Sequence, residues 1–341
     1  MTSCVYGLDL QANSICSLYH ESTNSQETHK FLISSCSFSN ENKIHLLEFD
    51  ERNKSIECTS VWPVKQAISG MWTSPALSSK ILVATASSNE MNILNVQENS
   101  CSEPKTILTV SKRVSKVLWD LEGLQNEVKF ISGNKLIQVS LDGGKIGDEK
   151  GNYNLGSEEV HVAALDPHHP SLCAFVRGTS QISIFDMRAK SVNDVTSVYP
   201  LHGFGKTTAI DFSPSNPNEL LSAGTDGTIL IHDIRFDGKY TLERKCAIPS
   251  HEHTVRRALF NPFHKELLVS CSSEQTMKLF EFNNKSFNCL KCVDEFGDSV
   301  MDTCWSSSNP WVFAGVSFNG KVIIDTVPND TKMQVLLDEK K

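Results

Sequence analysis

Short apolar runs, each closed by a polar or acidic residue, recur along the chain at a nearly constant spacing. The closures fall at Leu47-Glu48, Leu94-Asn95, Val139-Ser140, Phe185-Asp186, His232-Asp233, Phe280-Glu281 and Ile324-Asp325, at intervals of 47, 45, 46, 47, 48 and 44 residues. A second, mostly aromatic series keeps the same phase: Trp72, Trp119, Leu165, Phe212, Phe260 and Trp305, separated by 47, 46, 47, 48 and 45. The runs alternate so that one side chain in two faces a neighbouring layer, as in strands. A repeat of this length built only of short strands predicts propeller blades.

The repeat at Thr207 to Arg235 is the clearest. Ala209 to Phe212 reads as a strand ended by Ser213-Pro214, and Leu220 to Gly224 as a second strand. Thr225-Asp226-Gly227 reads as a tight turn, because Asp-Gly supplies the positive φ of a short hairpin. Thr228 to Asp233 and Tyr240 to Cys246 complete the blade. Residues 253–282, 298–327, 66–97, 113–142 and 159–188 follow the same order. In the first repeat, Val5 to Leu10 and Phe31 to Ser35 read as strands separated by an extruded polar loop, Gln11 to Lys30. Met333 to Leu337 reads as the outer strand of the last blade, so the ring is expected to close by packing, without an exchanged strand. The predicted fold is all-β, a seven-bladed WD40-type β-propeller of four-stranded antiparallel blades. The blades are placed at approximately 3–62, 66–110, 113–156, 159–200, 206–248, 253–293 and 298–339 of a single domain, 1–341. Closure removes the two exposed blade faces that an open array would leave.

Composition narrows the function. A net charge of −8 argues against sequence-independent nucleic-acid binding, which needs clustered Lys and Arg. Eleven cysteines, odd in number and irregularly spaced, fit reduced thiols of a cytoplasmic protein better than a disulfide framework. Met1 to Leu10 lacks a basic segment followed by an apolar one, and no apolar run approaches the ~20 residues that span a bilayer. Any membrane association is expected to be indirect.

The WD-repeat signature joins a His before the first strand, a Ser or Thr in the second, an Asp in the turn and a Trp in the third. Residues 202–233 supply His202, Ser222 and Asp226, with His232 at the Trp position. The next repeat has His251, but Glu274 takes the turn position. A hydrolase triad is set aside for the first set, since the repeat itself explains it. Cys289-Leu290-Lys291-Cys292 has no second CxxC at zinc-ribbon spacing and no surrounding βαβ pattern. His251-Glu252-His253 and His168-His169 fall in loops without partners, and Gly203 to Thr207 lacks the spacing and the helix of a nucleotide loop. No ordered set of carboxylates or histidines recurs at the inner-strand starts. The chain is therefore read as noncatalytic, with no cofactor, metal or small-molecule substrate. Binding is assigned to loops at the face where the first strands begin: Lys112, Arg113, Lys206, Arg256, Arg257 and Asp298, with the turn residues Glu90, Asp226, Glu274 and Asn319.

Three blocks carry a family resemblance. Val5 to Ala12 reads Val-Tyr-Gly-Leu-Asp-Leu-Gln-Ala, Lys30 to Ile33 is followed by Asn42 to Asp50, and Trp305-Ser306-Ser307-Ser308-Asn309-Pro310-Trp311 precedes Ser317 to Ile323. These resemble the EARP- and GARP-interacting WD40-repeat protein family, thinning between about Asn99 and Lys150. The family's third strands often carry Trp-Asp-x-Arg, where this chain reads Phe185-Asp186-Met187-Arg188 and His232-Asp233-Ile234-Arg235. Its long acidic insertion before the last blade corresponds here only to Asn283 to Phe296. The resemblance implies an adaptor binding vesicle-tethering complexes at endosomes and the trans-Golgi network, serving recycling, retrograde transport and dense-core vesicle cargo sorting. The alternative is a substrate receptor of a cullin-RING ubiquitin ligase. Such receptors carry Trp-Asp-x-Arg in consecutive blades, which assigns contact roles to Arg188 and Arg235.

Overall fold

A computed structural model describes residues 3–18, 28–37, 42–74, 81–88, 90–96, 105–119, 127–141, 149–194, 196–197, 201–203, 205–237, 239–282 and 287–338. It is a seven-bladed propeller whose blades are antiparallel sheets stepping outward from the inner strand. After a short strand β1 (Cys4–Gly7), the first blade is β2 (Ala12–Leu18), β3 (Thr28–Ser35), β4 (Asn42–Asp50) and β5 (Ser55–Val64). The second is β6 (Gly70–Thr73), β7 (Ile81–Ala86), β8 (Met91–Val96) and β9 (Lys105–Val110). The third is β10 (Lys116–Leu118), β11 (Glu127–Ser132), β12 (Lys135–Ser140) and β13 (Glu149–Asn154). The fourth is β14 (Ala163–Leu165), β15 (Leu172–Arg177), β16 (Gln181–Asp186) and β17 (Ser191–Asp194). A two-residue strand β18 (Thr196–Ser197) leads to the fifth blade: β19 (Thr207–Phe212), β20 (Glu219–Gly224), β21 (Thr228–Phe236) and β22 (Tyr240–Pro249). The sixth is β23 (Val255–Phe260), β24 (Leu267–Ser272), β25 (Met277–Phe282) and β26 (Phe287–Val293). The seventh contributes β27 (Val300–Trp305), β28 (Val312–Ser317) and β29 (Lys321–Thr326), and helix α1 (Asn329–Asp338) follows. The seven polar closures of the sequence register all lie in third strands, from Leu47 in β4 to Ile324 in β29.

Two expectations are corrected. The outer strand of the last blade is not Met333 to Leu337. It is β1, paired antiparallel to β29 through Cys4↔Ile324, Val5↔Ile323, Tyr6↔Val322 and Gly7↔Lys321. The ring therefore closes by strand exchange between the two ends of the chain. The segment read as that strand lies in α1, where Thr331 and Val335 are buried one helical turn apart. Met333, Leu336 and Leu337 face solvent, so their apolar character carried no strand signal. Second, Gln11 to Lys30 is not simply an extruded loop, because it contains the inner strand β2; residues 19–27 lie outside the described residues. Ser14 and Ser17 make this strand look polar, but both are buried and hydrogen-bonded to the last blade.

Seven apolar clusters fill the seven seams between blades. The two-residue strand period feeds neighbouring seams alternately. Leu220 of β20 joins the seam with the fourth blade, and Leu221 the seam with the sixth. The closing seam is equally apolar: Ile15, Phe31 and Phe49 meet Val312, Val316 and Ile324. The outer edge of the fifth blade is covered in part by β18, parallel to β22.

Turns between second and third strands pack against the following segment. Gly227 has a φ of 77°, and a Cβ there would lie 2.1 Å from the His251 carbonyl oxygen. Its own carbonyl accepts from the backbone N–H groups of Ser250 and His251. Conformation and space both require glycine at this position.

Candidate functional site

The fifth blade contains a continuous chain of polar contacts. His202 Nδ1 lies 3.0 Å from Asp226 Oδ1, and its Nε2 lies 3.0 Å from Ser222 Oγ. Ser222 Oγ is in turn 2.9 Å from His232 Nε2. The carboxylate fixes the order of donors. His202 donates Nδ1–H to Asp226, so its Nε2 accepts the Ser222 hydroxyl, whose oxygen accepts Nε2–H from His232. Burial pushes the His232 pKa down to about 3, with His202 adding to the shift, and burial also lowers that of His202. A neutral imidazole at position 232 thus supplies the single N–H that an indole would. In the sixth blade His251 reaches Glu274 at 2.7 Å and Ser270 at 2.8 Å, and burial lowers its pKa to about 4. Phe280 takes the third-strand position there and offers no donor. Both sets sit inside single blades and hold a loop to a turn.

The residues assigned to partner binding fall on two faces. Lys112, Arg113, Lys206 and Asp298 lie just before inner strands, with Lys112, Arg113 and Lys206 exposed and Asp298 half-buried. Arg256 and Arg257 lie within β23, the first exposed and the second half-buried. The main chain of Lys206 is fixed by Thr225, and Asp298 Oδ1 accepts the Ser299 N–H. Arg188 follows the third strand β16 and Arg235 stands near the end of the third strand β21, so both occupy the opposite face. Each is exposed and folds back on the aspartate two residues before it: Arg188 Nη2 to Asp186 at 3.2 Å, and Arg235 Nε to Asp233 at 2.7 Å. Beside Arg235, Phe236 is 66 % exposed and tilts against Tyr240 with ring centroids 4.8 Å apart.

The inner strands surround a channel that holds a cavity of about 540 Å³. Four of them are bulged, at Ala12/Ser14, Thr207/Ala209, Val255/Arg257 and Val300/Asp302. The extra residues, Asn13, Thr208, Arg256 and Met301, all line the cavity. Arg257 and Asp302 stand next to their bulges, where Arg257 Nη1 donates to Asp302 Oδ1 at 2.5 Å. The other carboxylate oxygen accepts from Ser14 Oγ at 3.0 Å and from the Ile15 N–H at 3.1 Å. Ser14 Oγ then accepts the Met71 N–H, so one polar chain crosses blades six, seven, one and two.

Sequence reading named Arg256 and Arg257 but missed Asp302, Ser14 and Lys116, although a signal existed. Lys116, Arg257 and Asp302 each stand three residues before a phase marker: Trp119, Phe260 and Trp305. The markers are partly channel residues too, since Trp72, Trp119, Leu165 and Phe212 line the cavity. Burial pushes the Asp211 carboxyl up to about 6, although its Oδ2 accepts the Phe260 N–H at 3.0 Å. Burial also pushes the Lys116 ammonium down to about 8, with Arg257 adding to the shift.

Among the described residues no group of three or more His, Cys, Asp or Glu is placed to hold a metal ion. Cys289 and Cys292 are exposed free thiols on the outer strand β26. No helix of the described residues is long and apolar enough to cross a membrane.

Comparison with known proteins places the chain. The pattern of the EIPR1 beta-propeller family matches residues 1–280. The chain is 22 % identical to the EARP-interacting protein homolog of Gekko japonicus, over 98 % of each chain. It is 21 % identical to EARP and GARP complex-interacting protein 1 of Homo sapiens, again over 98 % of each. It is 24 % identical to EARP-interacting protein 1 of Caenorhabditis elegans, over 98 % of this chain and 99 % of that protein. With a closed seven-bladed ring and a family pattern spanning most of its length, the chain belongs to the EIPR1 beta-propeller family.

Proposed function

We infer that this chain is a noncatalytic adaptor that binds EARP- and GARP-type vesicle-tethering complexes and supports their recruitment to endosomal and trans-Golgi membranes. Membrane association is then indirect and the protein cytoplasmic. Recycling, retrograde transport and dense-core vesicle cargo sorting are the processes it serves. The observation that carries this reading is the end-to-end match to relatives named for interaction with those complexes. The fold is compatible with it: the blades' polar groups are spent on internal contacts, which leaves the faces free to bind. Lys112, Arg113, Lys206, Arg256 and Asp298 would contribute to the contact from the inner-strand face. Affinity purification under gentle conditions, followed by cross-linking, tests it. Tether subunits cross-linked to the propeller are expected; recovery of none rejects the adaptor role, and turnover by the purified chain would reject its noncatalytic part.

One observation favours a second reading, the cullin-RING receptor. Arg188 and Arg235 hold the same self-paired geometry in consecutive blades on one face. The double variant Arg188→Glu/Arg235→Glu should abolish ligase-adaptor binding with the fold intact, and unchanged binding removes this reading.

A further inference from the structure

The channel cavity is lined by donors and acceptors that are unequally committed. Its three carboxylates already have donors. Asp302 takes Arg257, Ser14 and Ile15; Asp211 takes the Phe260 N–H; Asp166 takes the His168 N–H and His169 Nδ1. Two of its cations have none. Among the described residues, no carboxylate lies within ion-pair distance of Lys116 or of Arg256. The Trp72 ring lies 6.0 Å from the Lys116 Nζ, measured to its centroid. Burial and Arg257 disfavour this half-buried ammonium, and Asp302 and Asp211 attract it only from beyond ion-pair distance, so the charge is incompletely compensated. Such a residue is a candidate for function rather than for stability.

We propose that the channel is a binding site for an acidic peptide segment, entering from the face where the inner strands begin. A carboxylate of the segment sits between the Lys116 ammonium and the Arg256 guanidinium. Its apolar neighbours rest on Trp72 and Met301, which line the same cavity. The volume, about 540 Å³, suits two or three side chains and falls within the range of ordinary ligand pockets. The bulge in β23 is what turns Arg256 into the cavity beside Arg257. The rim residues Lys112 and Lys206 extend the positive field outward and would guide an acidic chain in. The site shares Arg256 and the rim residues Lys112 and Lys206 with the tether contact inferred above, so the test turns on Lys116, which that contact does not use.

The test is fluorescence polarisation with the full chain and a fluorescein-labelled octapeptide of alternating glutamate and leucine. A second peptide carries glutamine at each glutamate. The acidic peptide should bind saturably, and the glutamine peptide about tenfold more weakly or worse. Lys116→Met should weaken the acidic peptide by about tenfold while raising the melting temperature, so lost binding is not lost folding. Lys116→Arg should retain binding. Equal binding of the two peptides, no saturation, or full affinity in Lys116→Met overturns the proposal. Competition by free glutarate at the peptide's own concentration also overturns it, by assigning the pocket to small dicarboxylates. The same variants are carried through tether purification. Loss of peptide with tether retained isolates the channel; peptide binding without tether recovery counts against the adaptor reading alone.

Discussion

The seam between the fifth and sixth blades and the seam between the seventh and first do the same job by different means. At the former, chain continuity holds the blades together, and only a few side-chain bonds cross the seam, such as Asp211 to the Phe260 N–H and Thr208 to the Val255 carbonyl. Most polar groups there are spent inside a blade, as in the His202–Ser222–His232 chain. The chain crosses the closing seam too, from β1 to β2, but β1 belongs to the seventh blade only through its pairing with β29, so this seam is also stapled by side chains. Ser3, beside β1, reaches Asp325 within the seventh blade; across the seam, Ser14 and the Ile15 N–H reach Asp302, Ser17 reaches Ser307, and His29 reaches Ser306. Asn309 and Lys332 both reach Glu51. Where a blade is completed by a strand from the other end of the chain, buried polar pairs help specify which blades meet.

The largest break is removal of residues 3–7. It takes away β1 and leaves the edge of β29 unpaired. Loss of soluble, cooperatively unfolding protein is expected, checked by calorimetry, and a synthetic peptide of residues 1–10 should restore part of the transition. A truncated chain that melts like the parent would show that the staples suffice alone.

A smaller break contrasts two channel aspartates. Asp302→Ala leaves the Arg257 guanidinium, the Ser14 hydroxyl and the Ile15 N–H without their acceptor. A cost of about 3–5 kcal/mol is expected in denaturant unfolding. Asp211→Ala gives up the acceptor of the Phe260 N–H and longer-range attraction to Lys116 and Arg257, but it also removes a carboxylate that burial disfavours, so about 1 kcal/mol is expected. Equal costs would erase the distinction between the seams.

Acid sharpens the contrast most gently. His232 and His251 have folded pKa values near 3 and 4, below the unfolded value of 6.5. Unfolding therefore takes up protons, and the stability from keeping them neutral is full above pH 6.5 and falls as pH drops toward those values. Glu51 at the closing seam is held down to about 2 by His29 and Lys332, so its contribution is lost only below its ordinary 4.5. Hydrogen exchange at pH 5 should therefore show weakened protection in blades five and six before the closing seam. His232→Phe leaves the Ser222 oxygen without its imidazole donor, at a cost of about 1–2 kcal/mol. That variant should also show a shallower acid dependence.

Much of this was legible in the sequence. The third strands announced themselves because their apolar positions are buried on both sides and repeat in phase. His202, Ser222 and Asp226 were legible because their contacts lie within one repeat, and the Asp-Gly turn fixes their spacing. The inner strand β2 was not, since its buried serines are matched by partners 288 and 290 residues away. Nor was α1: the mostly apolar stretch Met333 to Leu337 is too short to show a period that separates helix from strand. Lys116 was legible only through its place three residues before Trp119, because a lysine in a short strand has no pattern of its own to show that it faces a channel.

Because β1 is the outer strand of the last blade, it has no partner until residues 321–324 have also been made. During synthesis six blades can stand in an open arc while β1 waits, and the circle closes only when the seventh blade forms beside it.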